Sequence, residues 1–208
     1  MKIVSYEWSM GRGERRRRKE RRGPLIFISH ATGDSDTPLV QAICAFMKDA
    51  GLGSGDYFCS SHTPYWFTSG KNDASQIYGF LDQTVVFMLV TTKLFLERPN
   101  CLLEVGYAIS RRRRDQADRR SSRLQMLPVV VPPVDFTPIN NMKLGSAIAL
   151  NDDMKNANLF AAQLRKLLEQ SGHPINDESW TAATGTFVNT NWPNALSEYR
   201  SKADNKAA

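Results

Sequence analysis

The chain has 208 residues, enough for one domain with an ordinary core and tails. Its formal charge of +6 sits at one end: residues 1–23 hold nine Lys or Arg against three Glu, and the other 185 residues balance 18 basic against 18 acidic side chains. That balance excludes a uniformly basic body built for nucleic acid, and the longest apolar run, Val85 to Val90, is too short to span a bilayer.

In chain order, residues 1–23 come first, as a basic arm. Arg15 to Arg18 with Lys19, Arg21 and Arg22 read as a disordered, solvated tail; the same charges suit an acidic partner, acidic lipid or nucleic acid, without reading bases. No apolar stretch follows these residues, so a secretory signal is not expected. Three widely spaced cysteines (Cys44, Cys59, Cys101) suggest no disulfide framework, and the chain is expected to be soluble and cytoplasmic.

Pro24 opens the ordered part, and Leu25 to Ile28 form a continuous apolar run, as in a strand buried on both faces. Asp36 or Thr37 can cap a helix with Pro38 in its first turn; Leu39, Ile43, Phe46 and Met47 make its apolar stripe, and Gly51 ends it. Tyr57 to Cys59 is a short second strand, followed by a loop from Ser60 to Asn72. Asp73 starts another helix, with Ile77, Phe80 and Leu81 at helical spacing, and Thr84 to Val90 is the third strand. Past the Leu94–Asn100 loop, a helix containing Glu104 is expected to run to about Ser110. Leu127 to Val131 is a fourth strand stopped by Pro132-Pro133, and Ala147 to Leu150 a fifth. Phe160, Leu164, Leu167 and Leu168 mark a last helix, and residues 171–208 show weak periodicity and are expected to be an appendage. Strands alternating with helices imply a parallel five-stranded sheet with helices on both faces, of flavodoxin-like order. In such a sheet ligands bind outside the carboxyl ends of the strands. The loops at His30–Asp36, Ser60–Asn72 and Thr91–Asn100 lie there, with Glu104 just beyond the third.

Several motifs fail on context. Gly51-Leu52-Gly53-Ser54-Gly55 precedes a strand, where a phosphate-binding loop would join a strand to a helix. Cys59 and His62 lack a second metal-type pair, so no metal site is expected. No Gly-x-Ser-x-Gly occurs, and a serine-hydrolase triad is unsupported. On the Glu104 helix, Leu102, Val105, Gly106 and Ile109 cluster on one side at 100° per residue. Glu104 then points nearly opposite, flanked by Cys101 and Ala108, which is the pattern of a solvated glutamate; the helix dipole would keep it ionised. The loop Pro64-Tyr65-Trp66-Phe67 either folds onto the sheet as core or forms a stacking wall with Trp66.

Six pieces in register resemble the Toll/interleukin-1 receptor (TIR) domain, particularly the stand-alone bacterial kind. They are Phe27-Ile28-Ser29-His30-Ala31 with Asp34, Phe58-Cys59-Ser60-Ser61, Gly70, Val86 to Thr91, Cys101-Leu102-Leu103-Glu104-Val105-Gly106, and Leu127 to Pro133. The resemblance covers about residues 25–170, giving a TIR domain at 24–170; the arm, the Arg111–Arg123 segment and the tail lie outside it. It implies an NAD+ glycohydrolase that splits the nicotinamide–ribose bond and releases nicotinamide with ADP-ribose or a cyclic isomer, often in anti-phage defence. NAD+ is then substrate, with no separate cofactor, and homo-oligomers through TIR–TIR contacts are implied. Glu104 falls on the catalytic position, and Ser29, His30, Ser60, Asn100 and Cys101 fall on the pocket. Asn100 stands where several members carry Trp, a departure from the family pattern. The other implied role is a non-enzymatic adaptor that assembles through the Ser60–Asn72 loop.

Overall fold

The structure, a computed structural model, describes residues 23–59, 73–118 and 124–204. The whole Ser60–Asn72 loop, with Ser60 and Trp66, lies outside the described residues, as does nearly all of the basic arm. Five strands form one sheet: β1 (Ile26–Ser29), β2 (Tyr57–Cys59), β3 (Val86–Thr91), β4 (Gln125–Val130) and β5 (Ile148–Ala149). They are all parallel and run in the order β2-β1-β3-β4-β5, the flavodoxin-like order.

The strand sequences dictate the layers. Alternate side chains go to opposite faces, so an apolar run feeds two cores. Ile26, Ile28, Val86, Met88 and Val90 enter one cluster with α1 (Thr37–Asp49) and α6 (Met154–Gln170). Phe27, Phe58, Phe87 and Leu89 enter the other with Leu81 of α2 (Asp73–Gln83), Phe95 of α3 (Lys93–Glu97) and Cys101, Val105 and Ala108 of α4 (Pro99–Ala117). Ile139 of the short α5 (Thr137–Asn141) joins this second cluster. Gly51 closes α1 at φ +91°, a left-handed conformation that strains a residue bearing Cβ.

Three expectations change. First, α4 starts at Pro99 and continues to Ala117, so Arg111 to Arg114 belong to the helix. Arg111 is anchored there: its guanidinium donates to the carbonyls of Leu81 and, at 2.7 Å, Thr84, and pairs with the buried Asp115 at 3.6 Å. Arg112 reaches the Leu144 carbonyl at 3.5 Å. Second, the buried face of α4 is Cys101, Val105 and Ala108, whereas Leu102 is 42% exposed and Leu103 58%. The sheet face below already carries Phe27, Phe58 and Phe87, and the helix approaches it with small side chains.

Third, the segment after residue 170 is part of the core. α7 (Asp177–Thr186) is capped by Asn176, whose side chain accepts from Ser179 N, and passes through a π-helical turn, Phe187–Asn191, into α8 (Trp192–Asp204). Trp180, Phe187, Trp192, Leu196 and Tyr199 share the cluster of α1 and α6. Phe46 of α1 meets the Trp180 ring edge-on at 5.2 Å and that of Phe187 at 5.0 Å. The Trp192 indole N–H donates to the Asn151 carbonyl at 3.1 Å. The π-turn resets the helical phase between α7 and α8, which is why one 3.6-residue period does not fit the stretch. Replacing Trp192, 1% exposed, by alanine is expected to cost about 3–5 kcal/mol. Chemical denaturation of the purified variant measures this; a loss within the scatter of surface substitutions would contradict the packing described.

Candidate functional site

At the carboxyl end of β1 the apolar run gives way to Ser29 and His30. In parallel register Ser29 stands beside Leu89 of β3, on the face that carries Phe27 and Phe87. That face is covered by α4, and there the Ser29 hydroxyl donates to Glu104 Oε2 at 2.5 Å, joining residues 75 apart in sequence. Ser29 is 1% exposed and Glu104 is half-buried. Glu104 Oε1 accepts no hydrogen bond among the described residues. β1 and β3 flank the point where the strand order reverses, and Glu104 stands over it.

Burial dominates the electrostatics. Desolvation pushes the Glu104 carboxyl from its ordinary 4.5 up to about 7, against the opposing pull of the Ser29 hydrogen bond and of His30. The dipole does not keep it low, because Glu104 is the sixth residue of α4 and the effect fades beyond the first turn. At neutral pH the group therefore divides between carboxylate and acid.

His30 and Cys101 lie beneath this carboxyl, 5% and 6% exposed. The Cys101 thiol donates to the His30 carbonyl at 3.4 Å, tying the first turn of α4 to the end of β1. Burial, with the Glu104 charge second, pushes that thiol up to about 12, so Cys101 stays protonated and is no nucleophile near neutrality. Burial alone lowers the His30 imidazole; the Cys59 sulfur at 3.9–4.0 Å from both ring nitrogens, the Ile28 carbonyl at 3.3 Å and the Glu104 charge outweigh it, and the net shift is upward. Ser29, His30, Cys101 and Glu104 thus come together. Asn100 is exposed at the start of α4.

A second polar group braces the crevice. Asp36, 1% exposed, accepts from Thr92 Oγ1 at 2.5 Å and Ser35 Oγ at 3.1 Å, linking the loop after β1 to the loop after β3. Thr92 also caps α3, accepting from Phe95 N at 3.1 Å. In the sequence Asp36 reads only as a helix cap, yet its side chain makes no cap bond to α1. A surface depression of about 320 Å³, lined by Asp82, Arg111, Arg114 and Asp115, lies elsewhere, at Arg111 about 10 Å further along the helix axis. Its arginines are engaged, Arg111 with Asp115 and Arg114 with Asp82 at 4.0 Å. Among the described residues no three His, Cys, Asp or Glu gather to hold a metal, and no helix is long and apolar enough to cross a membrane.

No protein-family model matches the sequence, and no curated protein matches it. Solved structures do. The TIR domain of the Toll-related receptor TRR-2 from Hydra magnipapillata superposes with a TM-score of 0.52 at 14% identity, covering 69% of this chain and 98% of that one. The chain has the TIR fold. The TIR domains of the activated Roq1 resistosome, which recognises the pathogen effector XopQ, are a looser likeness: TM-score 0.45 and 13% identity over 86% of this chain and 98% of that one. The Hydra superposition, at 14% identity, shows the fold alone and leaves activity to the site itself.

A buried carboxyl with a raised pKa costs stability wherever it must ionise. Below about pH 4 Glu104 is protonated whether the chain is folded or not, and no cost arises. As pH rises from 4.5 through 7 the unfolded chain releases the proton more readily, and the folded state loses stability. Glu104→Gln keeps an acceptor for Ser29 and removes the charge. It is expected to melt with the parent near pH 4 and about 3–6 °C higher at pH 8, a gain of about 1–2 kcal/mol after allowing for solvent screening. Paired thermal melts across pH 4–8 check this.

Proposed function

We propose that this chain is a TIR-fold NAD+ glycohydrolase with Glu104 as its catalytic residue. The single observation that carries the reading is the half-buried Glu104 carboxyl, held through Oε2 by Ser29 over the reversal point of the sheet. Glycosidases acting on neutral leaving groups need an acid on the leaving oxygen and a second carboxylate opposite. Nicotinamide in NAD+ is already cationic. When the bond from ribose C1′ to the ring nitrogen breaks, its electron pair neutralises the ring and nicotinamide leaves without a proton. The positive charge passes to the ribose, where one carboxylate can stabilise it. Water attack at C1′ releases a proton and gives ADP-ribose; attack by another group of the same molecule gives a cyclic isomer. NAD+ is substrate here, and no separate cofactor enters. Self-association of TIR domains and a role in anti-phage defence belong to the same proposal, as does action in the cytoplasm. Ser60 and Asn100 remain proposed pocket residues on the strength of the resemblance alone, and Trp66 on the aromatic character of its loop.

The ionised form is the active one in this mechanism. Nicotinamide release is therefore expected to rise with pH, with a midpoint near 7 in kcat/KM, the value of the free enzyme's carboxyl. Glu104→Gln and Glu104→Ala are expected to lower release at least a thousandfold while the protein stays folded. Mass spectrometry of NAD+ products from purified protein at high concentration decides it, and undiminished turnover by either variant overturns the mechanism. The second reading is a non-enzymatic assembly module acting through the Ser60–Asn72 loop. The exposure of Leu102 and Leu103 on α4 favours it, since paired leucines on a helix surface suit a partner. In that case NAD+ is untouched at every concentration.

A further inference from the structure

The Ser29 position, which the TIR resemblance assigns to the ligand, faces another protein group. Ser29 is 1% exposed, and the one proton of its hydroxyl is given to Glu104 Oε2 at 2.5 Å. A hydroxyl so placed has no second proton for a ligand. Its backbone is fixed by the β1–β3 ladder at Leu89, so the donor sits on the most rigid part of the fold. The acceptor sits on a helix whose first turn is tied to the same strand end through Cys101 and the His30 carbonyl.

We propose that Ser29 is a positioning residue: its hydroxyl pins Oε2 of Glu104 to the end of β1, so that Oε1 alone is presented to the crevice. A glutamate side chain on a helix has three rotatable bonds, and one short hydrogen bond to a strand removes most of that freedom. The bond also acts on protonation. A donor to the charged form favours it, so Ser29 works against the desolvation that holds Glu104 protonated. The other groups facing this carboxyl are His30, from the same strand end, and Cys101, from its own helix; His30 also favours the charged form. Removing the hydroxyl therefore leaves Glu104 both less oriented and harder to ionise.

The catalytic part of this inference rests on the NAD+-cleavage reading, and the protonation part does not. The test is an NMR titration of protein labelled at the glutamate carboxyl carbon, with Glu104 assigned by its absence in Glu104→Gln. The parent midpoint is expected near 7, and in Ser29→Ala it should rise by roughly one to two pH units, the worth of a hydrogen bond to a charged group. Ser29→Thr keeps the hydroxyl and should hold the midpoint near 7. Ser29→Cys, a weak donor of similar size, should shift it upward and serves if the alanine variant does not fold. If NAD+ is cleaved, kcat of Ser29→Ala at pH 7 falls about tenfold or more with little change in KM and recovers part of the loss by pH 9. An unmoved midpoint in folded Ser29→Ala overturns the proposal. A shifted midpoint in a protein that never cleaves NAD+ upholds the positioning role and overturns the enzymatic reading instead.

Discussion

A parallel sheet covered on both faces has room for polar side chains only at the ends of its strands, and that constraint organises this molecule. Within β1 and β3 every residue is sealed, and all but two are apolar: Ser29 and Thr91, each the last of its strand. A polar group elsewhere in these strands would be buried without water, at a cost of about 1–3 kcal/mol unless it were partnered. Polarity is thus confined to the carboxyl edge, where the loops after β1 and β3 diverge and the helices begin. Ser29, His30, Asp36, Thr91 and Thr92 all collect there, and the carboxyl of Glu104 comes down on them from α4.

The two hydrogen-bonded links at this edge have different consequences. The Asp36–Thr92 contact is fully sealed and joins two loops, so it fixes the separation of the crevice walls. The Ser29–Glu104 contact is sealed on the strand side only, leaving a carboxyl partly in water and partly in a desolvated niche. The first arrangement favours rigidity, and the second holds a group near its midpoint of ionisation at neutral pH. A carboxyl placed so is a stability cost unless the site uses it.

The far side of the sheet has a separate logic. α1 is covered by α7, the π-turn and α8, through a run of aromatic contacts from Phe46 to Trp180, Phe187 and Trp192. Tyr199 of α8 comes close enough to Asp36 for that charge, after burial, to help push its phenol up to about 12. The C-terminal helices therefore back the same loop whose front face meets the crevice, joining the stability of the tail to the geometry of the site.

The sequence by itself determined where the strands lie, that they are parallel and the edge at which function belongs, because two-sided burial writes itself as uninterrupted apolar runs. The order of the strands followed from the frequency of the fold and not from the residues. The sequence also put a helix carrying Glu104 beyond the third strand. Only the tertiary structure decided how that helix is rotated. Small residues at Cys101, Gly106 and Ala108 leave two apolar stripes open, and the phenylalanines of the sheet face select the one with Cys101 and Ala108 against them, turning Glu104 inward and Leu102 outward. The burial of Glu104 and its bond to Ser29 follow from that rotation across 75 residues of chain, a distance no local pattern encodes. The C-terminal segment was illegible for a related reason: a π-turn shifts its phase, so its core residues share no single helical period until they are seen packed on Phe46.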